Sequence, residues 1–249
     1  MKFHRYFLLV TLLWVSVPAY ADLVTFNSLA AFSAAAPGLP VETFESALLS
    51  PGSGLVLCTG PLSSSVASGC FPVGGLLPGV VYSSSPDPRM IVENATPMFP
   101  LLLNTSNVLG TAFPGSSILT LTFTAPIVAV GFEVFPGLVD GPVVVSVFSP
   151  SDAALGTFTI PAIRGANFFG VLSTRDVIGR VSIDGPNNPG SGGEFIDNLR
   201  WSVPEPSSLI LVAVGLALAF GLKRAKTGSF NPQNRLWRSD ARESYRKGT

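Results

Sequence analysis

The chain has 249 residues and a formal net charge of zero, but its 15 basic and 15 acidic side chains are segregated along it. From Asp22 to Val203 five arginines and no lysine face twelve acids, a net charge of −7, whereas the part from Lys223 onward sets eight basic residues against two acids, a net charge of +6. Phosphate binding needs clustered cations, so the acidic middle excludes a nucleic-acid partner; the single histidine, His4, lies in a segment expected to be removed, which closes histidine bases, triads and metal ligands for the mature chain.

Lys2 and Arg5 precede an apolar run from Tyr6 to Val17, and the small residues Ala19 and Ala21 follow it. This is the layout of a secretory signal peptide over residues 1–21, with signal peptidase cutting before Asp22. The alternative, a membrane anchor, needs about 20 apolar residues in a row, more than this run supplies. Export takes Cys58 and Cys70 into an oxidising compartment, where a pair is more often bridged than free. A disulfide closing a loop of that size stabilises by about 3 kcal/mol. Two unpaired, small apolar cysteines are the other reading.

The exported segment, residues 22–202, is long enough for one domain with its own core. Its apolar runs are short and bounded by Gly, Pro, Ser and Asn, the signature of strands. The expected strands are Val41 to Phe44, Val80 to Tyr82, Arg89 to Val92, Ile118 to Phe123, Val128 to Phe135, Val143 to Phe148, Thr157 to Ile160, Asn167 to Leu172, Val177 to Ile183 and Phe195 to Trp201. In Ile118 to Phe123 the alternation puts Leu119, Leu121 and Phe123 on one face and Thr120 and Thr122 on the other. One helix is expected, at Ser28 to Ala35, and Ser46 to Gly79 reads as a long loop that the cysteine pair would staple. The fold class is therefore all-β: an antiparallel β-sandwich of jelly-roll type. A β-helix competes, but the sequence shows no repeat of fixed period.

No Gly-x-Ser-x-Gly elbow, Cys/His cluster or phosphate-binding loop is present. Carboxylates remain: Glu42, Glu45, Glu133, Asp184, Glu194 and Asp197 are candidates for a glycosidase pair. Sugar-processing sites also use aromatic platforms, and Tyr82 and Trp201 are the only Tyr and Trp of the segment. For Glu42 and Glu133 the plainer reading is a solvated charged face.

Beyond the domain, Ser207 to Leu222 is uncharged and is followed by Lys223, Arg224 and Lys226. Sixteen helical residues span about 24 Å against a hydrocarbon core of about 30 Å. The run has no polar face, and basic residues following it mark the cytoplasmic flank. A single transmembrane helix at 207–222 is expected; a buried core helix is the alternative. The residues from 227 to 249 read as a basic, disordered cytoplasmic tail suited to anionic lipid headgroups.

Immediately before the apolar run stand Pro204, Glu205 and Pro206. The order of Pro-Glu-Pro, short apolar helix and basic cluster over residues 203–226 resembles the PEP-CTERM sorting signal of Gram-negative bacteria. The resemblance implies recognition by an exosortase, processing near the motif and transfer from an inner-membrane-anchored precursor to the cell surface or extracellular matrix. It also implies company with exopolysaccharide and biofilm formation. The 27 residues from Lys223 to Thr249 depart from the family pattern, in which the basic cluster lies close to the C-terminus. Thr43-Phe44-Glu45-Ser46 and the stretch from Gly192 to Trp201 resemble other ectodomains carrying this signal, and the second is similar to the last strand of carbohydrate-binding jelly rolls. That similarity implies a structural calcium ion, with Glu45, Asp184 and Asp197 as ligands and Asn198 or a carbonyl of the Gly-rich turn as supplements. Alternatively Arg200 or Arg180 neutralises Asp197. The function expected is that of a non-enzymatic, exported surface or matrix protein associated with exopolysaccharide. The alternative is a secreted, carboxylate-dependent polysaccharide hydrolase.

Overall fold

The computed structural model describes residues 23–50, 52, 54–94, 106–112, 117–137, 139–186 and 193–202. The expected signal peptide, the sorting signal with its transmembrane helix and the basic tail lie outside the described residues, apart from Ser202 at the boundary. Among the described residues no helix is long and apolar enough to cross a membrane.

In chain order the elements are β1 (Leu23–Phe26), α1 (Leu29–Ala35), β2 (Val41–Glu42), β3 (Leu55–Thr59), β4 (Val80–Ser85), β5 (Arg89–Asn94), β6 (Asn107–Thr111), β7 (Ile118–Ile127), β8 (Ala129–Phe135), β9 (Gly141–Phe148), β10 (Ala154–Ala162), β11 (Asn167–Ser173), β12 (Ile178–Asp184) and β13 (Phe195–Trp201). They form two antiparallel sheets packed as a sandwich. The larger runs β1-β11-β8-β13-β6-β5-β3, with β2 also paired to β13; the smaller runs β10-β9-β12-β7-β4. Alternation along the strands fills the space between them. Leu119, Leu121 and Phe123 of β7 face Val130, Phe132 and Val134 of β8 within one cluster that also takes Val143, Val145, Val147, Ile196 and Trp201. Each such side chain, fully buried, contributes about 1.5–3 kcal/mol.

Three strands go beyond the sequence reading. β3 lies inside the stretch read as a loop, and β1 and β6 were not expected. All three are four or five residues long, and their pairing comes from remote partners: β1 with β11, β3 with β5, β6 with β5 and β13. Short strands of this kind have too little local pattern to stand out. β2 is also shorter than expected, because Phe44 adopts a positive φ of 57° and turns the chain out of the sheet.

Helix α1 covers the outer face of the larger sheet at two glycines that pair in register, Gly131 and Gly170. A Cβ on Gly131 would stand 2.8 Å from a Phe32 ring carbon, and one on Gly170 2.7 Å. Their bare backbone forms the floor on which the Phe32 ring sits.

Cys58 of β3 and Cys70 are joined in a disulfide with Cα atoms 5.5 Å apart. The bond ties the edge strand of the larger sheet to the segment before β4. Replacing both cysteines by alanine is expected to lower stability by about 3 kcal/mol, since a loop of this length is freed in the unfolded chain. Urea midpoints of parent and double variant measure the loss, and coincident midpoints would refute it.

Candidate functional site

The last strand organises most of the polar groups that the sequence singles out. One side of β13 is shared by two short partners: Phe195 and Ile196 pair with β6, whereas Leu199 and Arg200 pair with β2. Where the partner changes, the register against β8 shifts between Asp197 and Arg200, and Asn198 takes a positive φ of 50°. Such a bulge re-aims side chains that regular alternation would send elsewhere.

Asp197 is fully buried at this point. Its Oδ1 accepts the Asn198 N–H at 2.6 Å, and its Oδ2 accepts from the Ser106 hydroxyl and from Asn198 Nδ2. Asn198 Nδ2 also donates to Glu133 Oε2 at 2.9 Å. Glu45 Oε1 accepts the Asn107 N–H at 2.9 Å, and Asn107 Nδ2 donates to the Phe44 carbonyl at 3.1 Å. Burial pushes the Asp197 carboxyl up to about 6; the bonds from Ser106 and Asn198 oppose that rise, and the charges of Glu133 and Glu45 add to it.

The structure thus gathers Glu45, Glu133 and Asp197 around one bulge and leaves Asp184 apart, at the end of β12 in the smaller sheet. Among the described residues no group of three His, Cys, Asp or Glu side chains is placed to hold a metal. Both oxygens of Asp197 accept hydrogen bonds from N–H and O–H donors of the fold. Neither expected arginine neutralises it. Arg180 pairs with Asp152 at 2.9 Å and lies over the Phe148 ring at 3.8 Å, and Arg200 donates to the Asn198 carbonyl at 2.7 Å.

Glu42 and Glu194 are buried carboxylates of a second kind, each holding backbone that is remote in sequence. Glu42 Oε1 accepts the Phe44 N–H at 3.0 Å and Oε2 the Leu77 N–H at 2.5 Å, which pins the segment before β4 to β2. Glu194, just ahead of β13, reaches the other sheet: its Oε1 accepts the Leu119 N–H at 2.8 Å and its Oε2 the Gly185 N–H at 3.3 Å. Burial pushes the Glu194 carboxyl up to about 8, against the pull of the N–H donors. The solvated-face reading of Glu42 is therefore wrong: its charge is spent on backbone N–H groups inside the protein. Tyr82 and Trp201, at 0% and 1% exposure, are core residues with no face open to a sugar.

At its C-terminal end β13 is closed by Ser202, whose Oγ accepts the N–H groups of Val128 and Ala129 at 2.8 and 3.1 Å. Residues 202–225 match the PEP-CTERM protein-sorting motif. The chain carries an exosortase sorting signal. The PEP-CTERM motif implies processing by an exosortase and an exported protein associated with the cell surface. It begins at the residue on which the sandwich closes. No curated protein matches the chain. Among solved structures, the enzymatically active domain of tailspike protein 4 of bacteriophage CBA120 is similar over 64% of this chain and 22% of its own, with 15% identity and a TM-score of 0.28. The alignment thus spans under a quarter of the tailspike chain. The family 11 carbohydrate-binding module of cellulase Lic26A-Cel5E of Clostridium thermocellum is similar over 67% of this chain and 96% of its own, with 7% identity and a TM-score of 0.24. At these scores neither likeness carries an argument about the ectodomain.

The sequence reading missed one feature altogether. A cleft of about 520 Å³ opens between β1 and β10, the edge strands of the two sheets on one side of the sandwich. Its walls come from three stretches of chain, and none of them carries a motif.

Proposed function

We propose that the ectodomain is a non-enzymatic component of the cell surface or extracellular matrix that associates with exopolysaccharide after exosortase processing of an inner-membrane-anchored precursor. The observation that carries this reading is the PEP-CTERM motif at residues 202–225, which routes the chain to the surface. The state of the carboxylates supports it. Glu42, Glu45, Glu133, Glu194 and Asp197 all accept hydrogen bonds from the chain's own N–H groups or amides, so these candidates for acid–base work serve the scaffold. The sandwich itself suits a jelly-roll arrangement: from β7 to β9, and again from β10 to β13, each connection crosses from one sheet to the other.

Incubating the purified exported protein with the producer's own exopolysaccharide tests the proposal. Retention on the polymer without new reducing ends is the expected result. New reducing ends would overturn it in favour of a hydrolase, and the absence of retention would remove the polysaccharide.

A further inference from the structure

We infer that the cleft between β1 and β10 is a binding groove for a neutral polysaccharide chain; this rests on the polysaccharide association proposed above and gives it a site. The cleft follows β10 from Thr157 to Pro161, about 16 Å at the rise of a strand. Its volume of about 520 Å³ lies within the roughly 300–1,000 Å³ of ligand pockets. One end is closed, where a Cβ on Gly156 would stand 3.1 Å from Leu23 Cδ1.

Charge decides what class of ligand fits. Among the described residues none that lines the cleft is charged, and the exported segment around it carries a net −7. Phosphates, nucleotides and acidic polymers find no partner there, and a uronate polymer is repelled by the domain as a whole.

The wall chemistry points the same way. Phe26 and Phe168 line one side and are braced by Phe32, each ring centroid 5.6 Å from it. Phe158 lines the other and is braced by Phe169 at 5.6 Å, which in turn packs on Phe132 at 5.7 Å. These rings are held before any ligand arrives, so little ordering is left for binding to meet. Thr25, Asn27 and the outward backbone groups of two edge strands complete the lining. A sugar chain has the matching surface, with apolar C–H faces for the rings and hydroxyls that donate and accept. An extended peptide adding as a strand fits less well. The bulge between Ala154 and Gly156 and the proline at 161 leave only Thr157 to Ile160 as regular edge, and bulges and prolines blunt an edge against strand addition.

Native affinity electrophoresis of the mature exported chain, in gels cast with dextran, laminarin or galactomannan and in parallel with alginate, tests the assignment. Retardation in at least one neutral gel and none in alginate is expected. Phe158→Ala should weaken binding on the order of thirtyfold, as truncation of a central aromatic anchor does. Because Phe158 also packs on Phe169, Asn27→Ala, at an exposed position, is run beside it, with thermal melts to verify the fold; it should bind more weakly with an unchanged melt. If the parent is retarded and both variants are retarded equally, polysaccharide association stands and the cleft is not its site. If neither a neutral gel nor alginate retards the parent, both readings fall. Retardation in alginate alone overturns neutrality. Self-association in ultracentrifugation that Thr159→Lys abolishes, with no retardation, makes the cleft a strand-addition edge instead.

Discussion

Glu205→Ala is expected to accumulate as an unprocessed, membrane-retained precursor while the parent chain leaves the membrane. Glu205 is the only charge between Arg200 and Lys223. It stands between two prolines, each of which fixes its own φ and biases the residue before it toward an extended backbone. An extended peptide offering one carboxylate is the form in which a protease-like groove reads a substrate. The match to the sorting motif covers this position. The effect should be close to all or none, because recognition precedes every later step. Membrane fractionation with mass determination of the released protein measures it, and Glu205→Gln separates charge from shape. If the alanine variant is released as fully as the parent, the triplet acts as a spacer and recognition lies elsewhere.

The second large effect is expected at Glu194. Its carboxyl is pushed up to about 8 from an ordinary value of 4.5, chiefly by burial. The unfolded chain releases this proton near its ordinary value, while the folded chain holds it to about pH 8. Folding therefore takes up a proton between those limits, and stability falls as pH rises through that window. Asp197, raised to about 6, and Glu93, raised to about 7 by burial on β5, act in the same direction over narrower windows. Urea midpoints should be higher at pH 5 than at pH 8. Glu194→Gln should flatten the profile most above pH 7, where Asp197 has largely titrated and Glu93 is past its midpoint. Glu194→Ala should cost on the order of 3 kcal/mol, because the N–H groups of Leu119 and Gly185 lose their acceptors inside the protein. A parent profile that is level from pH 5 to pH 8 would refute the role given to burial here.

These two glutamates show what kind of information was legible. β7 was readable because side chains on a strand alternate: Leu119, Leu121 and Phe123 are buried, and Thr120 and Thr122 are not. α1 was readable from its run of small and apolar residues, and the disulfide from the redox consequence of the export that the sequence led us to expect. β3 and β6 were not, since their pairing partners define them. The carboxylates Glu42, Glu45, Glu133, Asp184, Glu194 and Asp197 stood out as residues, but the work each does was not visible. Glu42 looked like a surface charge and is buried on two backbone N–H groups. Asp184 looked like a companion of Asp197 and lies on the other sheet.

The sequence by itself determined the sorting signal, because an exosortase reads a short, contiguous peptide whose chemistry is complete before folding. Strand alternation is local in the same sense. Only the tertiary structure decided what the buried acids hold and where the cleft opens. Ser106 meets Asp197 across 91 positions, and Leu119 meets Glu194 across 75. The cleft combines residues from β1, β10 and β11, brought together only when two sheets close on a common core. Contacts of that range depend on the register of every strand between them, and no window of sequence contains that register.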